Sequence, residues 1–235
     1  MTANRSYPKW DYQEYPKTLA EDDLWGQVRR TVMGKPVSEE QISLMIHAIS
    51  EGLDLQSQDT LLDIGCGNGA LSSRLFSLLD HFIGVDASPY LIEIGQKYFS
   101  SKQHQFICND ALSYLQGVNL PDIDKVLCFA VFSYLSDEQG ELLLGTLHEK
   151  FPRLNKIFLG NLPDRERAHL FFSNQEVTEE ILHTPHSQIG VWRTVEQLKA
   201  MAERTGWCAR VQYMPPEFYQ AHYRFNLILE RSHQG

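Results

Sequence analysis

The chain has 235 residues, and its 30 Asp and Glu outweigh 21 Lys and Arg to give a formal net charge of −9. That length fits one domain with at most an embellishment, and 43% hydrophobic residues suffice for a core. No run approaches a membrane span, residues 1–15 are too polar and aromatic for a signal peptide, and the acidic balance argues against nonspecific nucleic-acid binding. A short, specific RNA site stays open on these grounds, but DNA does not fit.

The first 37 residues read as an N-terminal arm rich in aromatics. Trp10, Tyr12, Tyr15 and Trp25 would clamp a ligand or staple the arm to the rest of the chain. Arg29 and Arg30, adjacent and facing different ways, would bind a carboxylate or phosphate or form a solvated face. Residues 38–235 then read as one α/β unit. Ser38-Glu39-Glu40-Gln41 is a capping box opening a helix with Ile42, Met45, Ile46 and Ile49 on one face. Thr60–Ile64 is a strand run, and leucines 71, 75, 78 and 79 predict a helix from about Ala70. Phe82-Ile83-Gly84-Val85 is a second strand, and Ser88-Pro89 starts the next helix. Gln105-Phe106-Ile107-Cys108, Lys125–Phe129 and Lys156-Ile157-Phe158-Leu159 are further strands, with a helix capped at Ser136 before the last. After a polar, His-containing stretch, Thr194 caps another helix. Two strand runs, 207–213 and 223–229, follow without a helix between them and predict an antiparallel closure. Strands alternating with helices imply a mostly parallel sheet covered on both faces.

The four cysteines, Cys66, Cys108, Cys128 and Cys208, are widely spaced without a CxxC pair, so neither a metal site nor a disulfide framework is expected. Cys108 and Cys128 read as small packing hydrophobes, and a reducing cytoplasm fits.

The segment Asp63-Ile64-Gly65-Cys66-Gly67-Asn68-Gly69 lies where a buried strand turns toward a helix. Glycine there permits positive φ and close backbone approach to a ligand. Asp86 ends the next strand, 17 residues after Gly69, placed to accept a ribose diol. No Gly-Lys-Ser/Thr follows, which excludes a P-loop. Gly65, Gly67 and Ala70 satisfy the dinucleotide spacing GxGxxA, so an NAD-dependent oxidoreductase stays open. Asp63 would oppose a pyrophosphate but suit a ligand's ammonium group.

Here the residues resemble a known family. DIGCGNG at 63–69 resembles motif I of the class I S-adenosylmethionine (SAM) dependent methyltransferases. GVDAS at 84–88, FICNDA at 106–111 and DKVLCFAVFSYL at 124–135 resemble their next three motifs, in order. The resemblance implies a Rossmann-like seven-stranded sheet of order 3-2-1-4-5-7-6 with strand seven antiparallel, and a helical lid in residues 1–37. It implies that Asp63, Gly65, Cys66, Gly67, Asn68 and Gly69 hold the methionine part of SAM. Asp86, with Ala87 and Ser88, would bind the ribose, and Asp110, with Asn109 and Ala111, the adenine. The Phe129 carbonyl would face the methionine amino group.

The acceptor would sit among connections 130–136, 160–193 and 214–223, where His183, His186, His222 and Tyr134 are candidates for proton removal. The His183/His186 spacing would suit a metal only on a helix, which Pro185 opposes, so no metal is expected. The Asn/Asp-Pro-Pro-Tyr/Phe signature of base and glutamine amino methylation is absent after the fourth strand. The expected activity is methyl transfer to a small molecule, an O-methylation first, with N-methylation of an amine or a non-catalytic SAM-binding protein as alternatives.

Overall fold

The computed structural model describes residues 12–117, 119–173, 176–185, 187 and 189–231. Trp10 and His186 lie outside the described residues. The arm contains a one-turn helix α1 (Leu24–Gln27) and a short hairpin, β1 (Thr31–Val32) and β2 (Lys35–Pro36). Helix α2 (Glu39–Leu53) follows and buries Ile42, Met45, Ile49 and Leu53 along one stripe. Then come β3 (Thr60–Ile64), β4 (His81–Asp86), α3 (Pro89–Phe99), β5 (His104–Cys108), α4 (Ala111–Leu115) and β6 (Lys125–Phe129). The chain continues through α5 (Asp137–Lys150), β7 (Lys156–Pro163), α6 (Ala168–Phe171), α7 (Glu179–His183) and α8 (Val195–Arg204). It closes with β8 (Trp207–Gln212) and β9 (Arg224–Arg231).

The seven-stranded sheet has the order β5-β4-β3-β6-β7-β9-β8, with β9 antiparallel to both neighbours. This is the expected 3-2-1-4-5-7-6 arrangement. Successive strand residues face opposite layers. Leu62, Val126, Ile157 and Leu159 pack under α5 and α8, whereas Leu61, Leu127 and Phe158 pack against α2. Burial on both faces explains why the strands read as continuous apolar runs.

Three local expectations are corrected. The stretch after Ala70 is a 3-10 segment, Ser72–Leu78, not an α-helix. Its leucines 71, 75 and 79 are buried, but Ser72 and Ser73 bond their hydroxyls to Asp63 and to the Ala70 carbonyl, and local bonds of this kind compete with α-helix. Ser38 does not cap α2 through its side chain, and Gln41 completes no capping box. The Gln41 amide instead donates to Glu217 O at 2.9 Å and accepts from Tyr219 N at 2.9 Å, tying α2 to the 214–223 loop. Cys128 is buried as expected, but Cys108 is exposed. The predicted capping boxes at Ser136 and Thr194 both form.

The fifth sheet strand, β7, runs beyond its predicted end at Leu159. A register shift against β9 between Leu159 and Leu162 accommodates Gly160 and Asn161. Asn161 and Ala130, both with φ near +60°, lie at the carboxyl edge, where Ala130 N donates to Gly160 O.

Candidate active site

Strands β3, β4 and β6 are parallel, so their carboxyl ends open on one edge of the sheet. In open α/β sheets that edge is where ligands bind. Asp63, next to last in β3, is buried at 3% exposure. The Ser72 hydroxyl donates to it. Burial pushes the Asp63 carboxyl up to about 7, against the lowering effects of Ser72 and Arg30. The loop then turns through Gly65 at φ +74° and Gly67 at φ +58°. A Cβ on Gly65 would stand 2.4 Å from a Val131 methyl, and one on Gly67 2.8 Å from a Val28 methyl. Glycine is therefore required for conformation and for space.

Asp86 ends β4, and its carboxylate accepts from Gly67 N at 2.9 Å and Ser88 N at 2.8 Å. Burial raises its pKa while these two backbone donors lower it. Two N–H bonds leave further lone pairs on the carboxylate for a diol. Ser88 caps α3 and is buried, whereas Ala87 is exposed and its carbonyl accepts from Gln13 at 3.2 Å. Asp110 caps α4 by accepting from Ser113 N at 3.0 Å, with Asn109 and Ala111 on either side. Phe129 is buried at the end of β6, and the Arg30 guanidinium lies 5.3 Å from its ring centroid.

The arm lies directly on this edge. Asn68 is buried, and its side-chain amide donates to Leu24 O at 2.8 Å and Gln27 Oε1 at 2.9 Å. Its Oδ1 accepts from Ala70 N at 3.1 Å. The Asn68 side chain is thus committed to joining loop and arm. Gln27, also buried, donates to the carbonyls of Ala20 and Glu21. Glu21 is ion-paired with Lys97 on α3. Tyr12 and Tyr134 share a hydroxyl hydrogen bond of 2.8 Å, and Arg29 stacks 3.4 Å from the Tyr15 ring centroid. Arg29 and Arg30 therefore do not form a solvated face. Their role in fixing the arm was not visible in sequence; the adjacent aromatics were the only signal.

The candidates for proton removal are dispersed. His183 holds Glu179 O through Nδ1 at 2.8 Å and faces Arg165 through Nε2 at 3.1 Å, so both ring nitrogens are engaged. His222 is exposed and stands edge-on to the Tyr223 ring at 4.8 Å. Burial and the neighbouring Tyr12 push the Tyr134 pKa far up, which keeps it a neutral phenol. Cys66 is buried, and burial likewise holds its thiol protonated. No cluster of three metal-ligating side chains occurs among the described residues.

The sheet order and the glycine loop flanked by two carboxylates define a class I methyltransferase fold. Residues 61–150 match the methyltransferase domain family. The matched segment holds the glycine loop, Asp86, Asp110 and Phe129. It is 34% identical over 107 residues to the mitochondrial ubiquinone biosynthesis O-methyltransferase of Schizosaccharomyces pombe, covering 43% of this chain and 37% of that protein. It is 33% identical over 91 residues to a probable ribosomal RNA small subunit methyltransferase A of Methanosarcina mazei, covering 38% and 32%. The match thus spans about a third of these curated relatives. Among solved structures, cyclopropane synthase MmaA2 from Mycobacterium tuberculosis superposes with a TM-score of 0.68 at 15% identity, covering 94% of this chain and 97% of that one. Magnesium protoporphyrin IX methyltransferase from Synechocystis PCC 6803, with bound S-adenosylhomocysteine (SAH), superposes at 0.61 and 17% identity, covering 89% and 94%.

The residues present fit SAM. A buried carboxylate with a raised pKa is matched by a ligand cation, and SAM carries an ammonium on its methionine part. The same carboxylate would oppose the pyrophosphate of NAD, which disfavours the oxidoreductase alternative.

Proposed function

We propose that the chain transfers a methyl group from SAM to a small-molecule acceptor, as an O-methylation. The observation that carries this reading is the pair Asp63 and Asp86 on either side of the glycine loop, at the carboxyl ends of adjacent parallel strands. When bound, SAM supplies a methyl group already activated on a sulfonium. Asp63 would hold its ammonium group with the loop backbone at Gly65, Cys66 and Gly67. Asp86 would hold the ribose diol, with Ala87 and Ser88 beside it. Asp110, Asn109 and Ala111 would border the adenine, and the Phe129 carbonyl the amino group. Asn68 would act by tying the loop to the arm with its side chain rather than by touching SAM with it.

Because the donor arrives activated, the chain's task is to orient the acceptor and exclude water. The arm is suited to exclusion: residues 12–30 span from Ala87 beyond β4 to Tyr134 beyond β6. We assign the described part of the arm, residues 12–37, as a lid on this basis. Proton removal from a hydroxyl falls to His222 or His186, since His183 is tied to Arg165 and Tyr134 stays neutral. The net charge of −9 supports a small acceptor over a nucleic acid. No helix among the described residues is long and apolar enough to cross a membrane, and a cytoplasmic location fits cysteines that are widely spaced without a CxxC pair.

Calorimetric titration with SAM, SAH and NAD tests the reading. Binding of the first two without NAD is expected; binding of NAD alone would overturn it. Transfer of radiolabelled methyl to hydroxylated acids, with amine analogues run alongside, then separates O- from N-methylation.

A further inference from the structure

β9 begins at the active edge with Arg224, which pairs in register with Pro163 at the end of β7 and is 7% exposed. The other buried arginine, Arg193, is matched by Asp137 at 2.7 Å. Arg224 forms no such ion pair among the described residues. Its Nη1 donates to the main-chain oxygen of Asn161, and its guanidinium lies 5.0 Å from the Tyr223 ring centroid. Its Nε is buried without a partner, and so is the side-chain oxygen of Asn161. A buried cation without a counter-charge is unfavourable, and a guanidinium presents paired donors whose geometry matches a carboxylate or phosphoryl group.

The surroundings point the same way. The positive charge of Arg224 reaches both Tyr134 and Tyr219. Tyr134 also feels Arg29, and Tyr219 also feels Arg30, whose guanidinium lies over Phe129 at the end of β6. Arg224 at the start of β9, beside Pro163, and Arg30 over Phe129 at the end of β6 thus place two cations on the same edge of the sheet.

We infer that the acceptor carries an oxyanion, a carboxylate or phosphoryl group, and that Arg224 anchors it, with Arg30 supplying a second positive charge nearby. This names the substrate class of the site proposed above and rests on that reading. Arg224 is a binding residue here, and no proton or bond changes hands at it. The buried aromatic cluster of Phe171, Phe172, Trp192 and Tyr223 adjoins it and fixes Tyr223 beside the guanidinium.

The test is calorimetric, on the full chain with and without saturating SAH. The probes are benzoate and phenylphosphonate, with benzamide and benzyl alcohol as neutral counterparts. Saturable binding of either anion, with the neutral probes much weaker, is expected; the ratio of the two anions distinguishes carboxylate from phosphoryl. Arg224→Gln should weaken the anion about tenfold or more, as loss of a charge-assisted bond requires, and leave SAH affinity unchanged. Arg224→Lys should retain part of the binding and keeps the test decisive if circular dichroism shows the Gln variant unfolded. Arg204→Gln, at an exposed arginine paired with Glu141, should change nothing. Equal binding of benzoate and benzamide, no anion binding, or anion affinity indifferent to Arg224 would overturn the inference. If SAH binds and the anions do not, only the inference falls. If SAH fails to bind, the functional reading falls, and the anion titration without SAH still decides the role of Arg224.

Discussion

Replacing Asp63 by Asn should make the unliganded protein more stable at neutral pH while impairing its cofactor site. Asp63 is 3% exposed, and burial pushes its pKa up to about 7 from the ordinary 3.8. Between those values the unfolded chain has released the proton and the folded chain still holds it. Stability must therefore fall as pH rises through that window and level off above about 7. A shift of about three units at 1.36 kcal/mol each gives an upper bound of about 4 kcal/mol. The amide introduced by Asp63→Asn cannot ionise and can still accept from Ser72. In urea unfolding from pH 4 to 8, the stability of Asp63→Asn relative to wild type should grow with pH, by up to about 4 kcal/mol. Parallel profiles would show that Asp63 is ionised in the folded protein throughout, and the account of its burial would fail. Calorimetry supplies the other half. If SAH requires the carboxylate, wild-type affinity should drop about tenfold per unit below pH 7, with proton release on binding, and the variant should bind weakly at every pH.

Arg30→Gln removes a charge that lowers the Asp63 pKa, so the pH at which SAH binding reaches half strength should move upward; an unmoved profile would dissociate Arg30 from Asp63. Asp86→Ala should weaken SAH by about 1–3 kcal/mol through lost hydrogen bonds, and unchanged affinity would remove Asp86 from the site. Asn68→Ala strands the partners at Leu24, Gln27 and Ala70, so a loss of about 2–3 kcal/mol is expected together with faster limited proteolysis within residues 12–30. Proteolysis at the wild-type rate would mean that Asn68 does not hold the arm.

The inner strands were legible because they are buried on both faces and read as apolar runs, whereas their order came from the resemblance of DIGCGNG and the motifs after it to a known family. The strand-end placement of the candidate carboxylates Asp63 and Asp86 was legible for a related reason: each stands at, or one residue from, the end of an apolar run. What was hidden depends on partners remote in sequence. The leucines at 71, 75 and 79 have helical spacing, but the spacing carries no sign of the bond between Ser72 and Asp63 that accompanies the 3-10 form. Gln41 has the right offset for a capping box, yet its amide serves a loop 176 residues away. The apolar run of β7 stops at Gly160-Asn161, so the strand's continuation past the register shift left no pattern to find. Arg224 reads as an ordinary start to a strand; only its burial without a carboxylate sets it apart.

Asn68 links two events that need not have been linked. Its one amide group fastens the glycine loop on one side and the arm on the other. Any ligand that displaces the loop must be felt by the arm, and any opening of the arm loosens the loop. The two cannot then be tuned separately: a variant that frees the arm for faster exchange of spent cofactor also holds fresh cofactor less tightly.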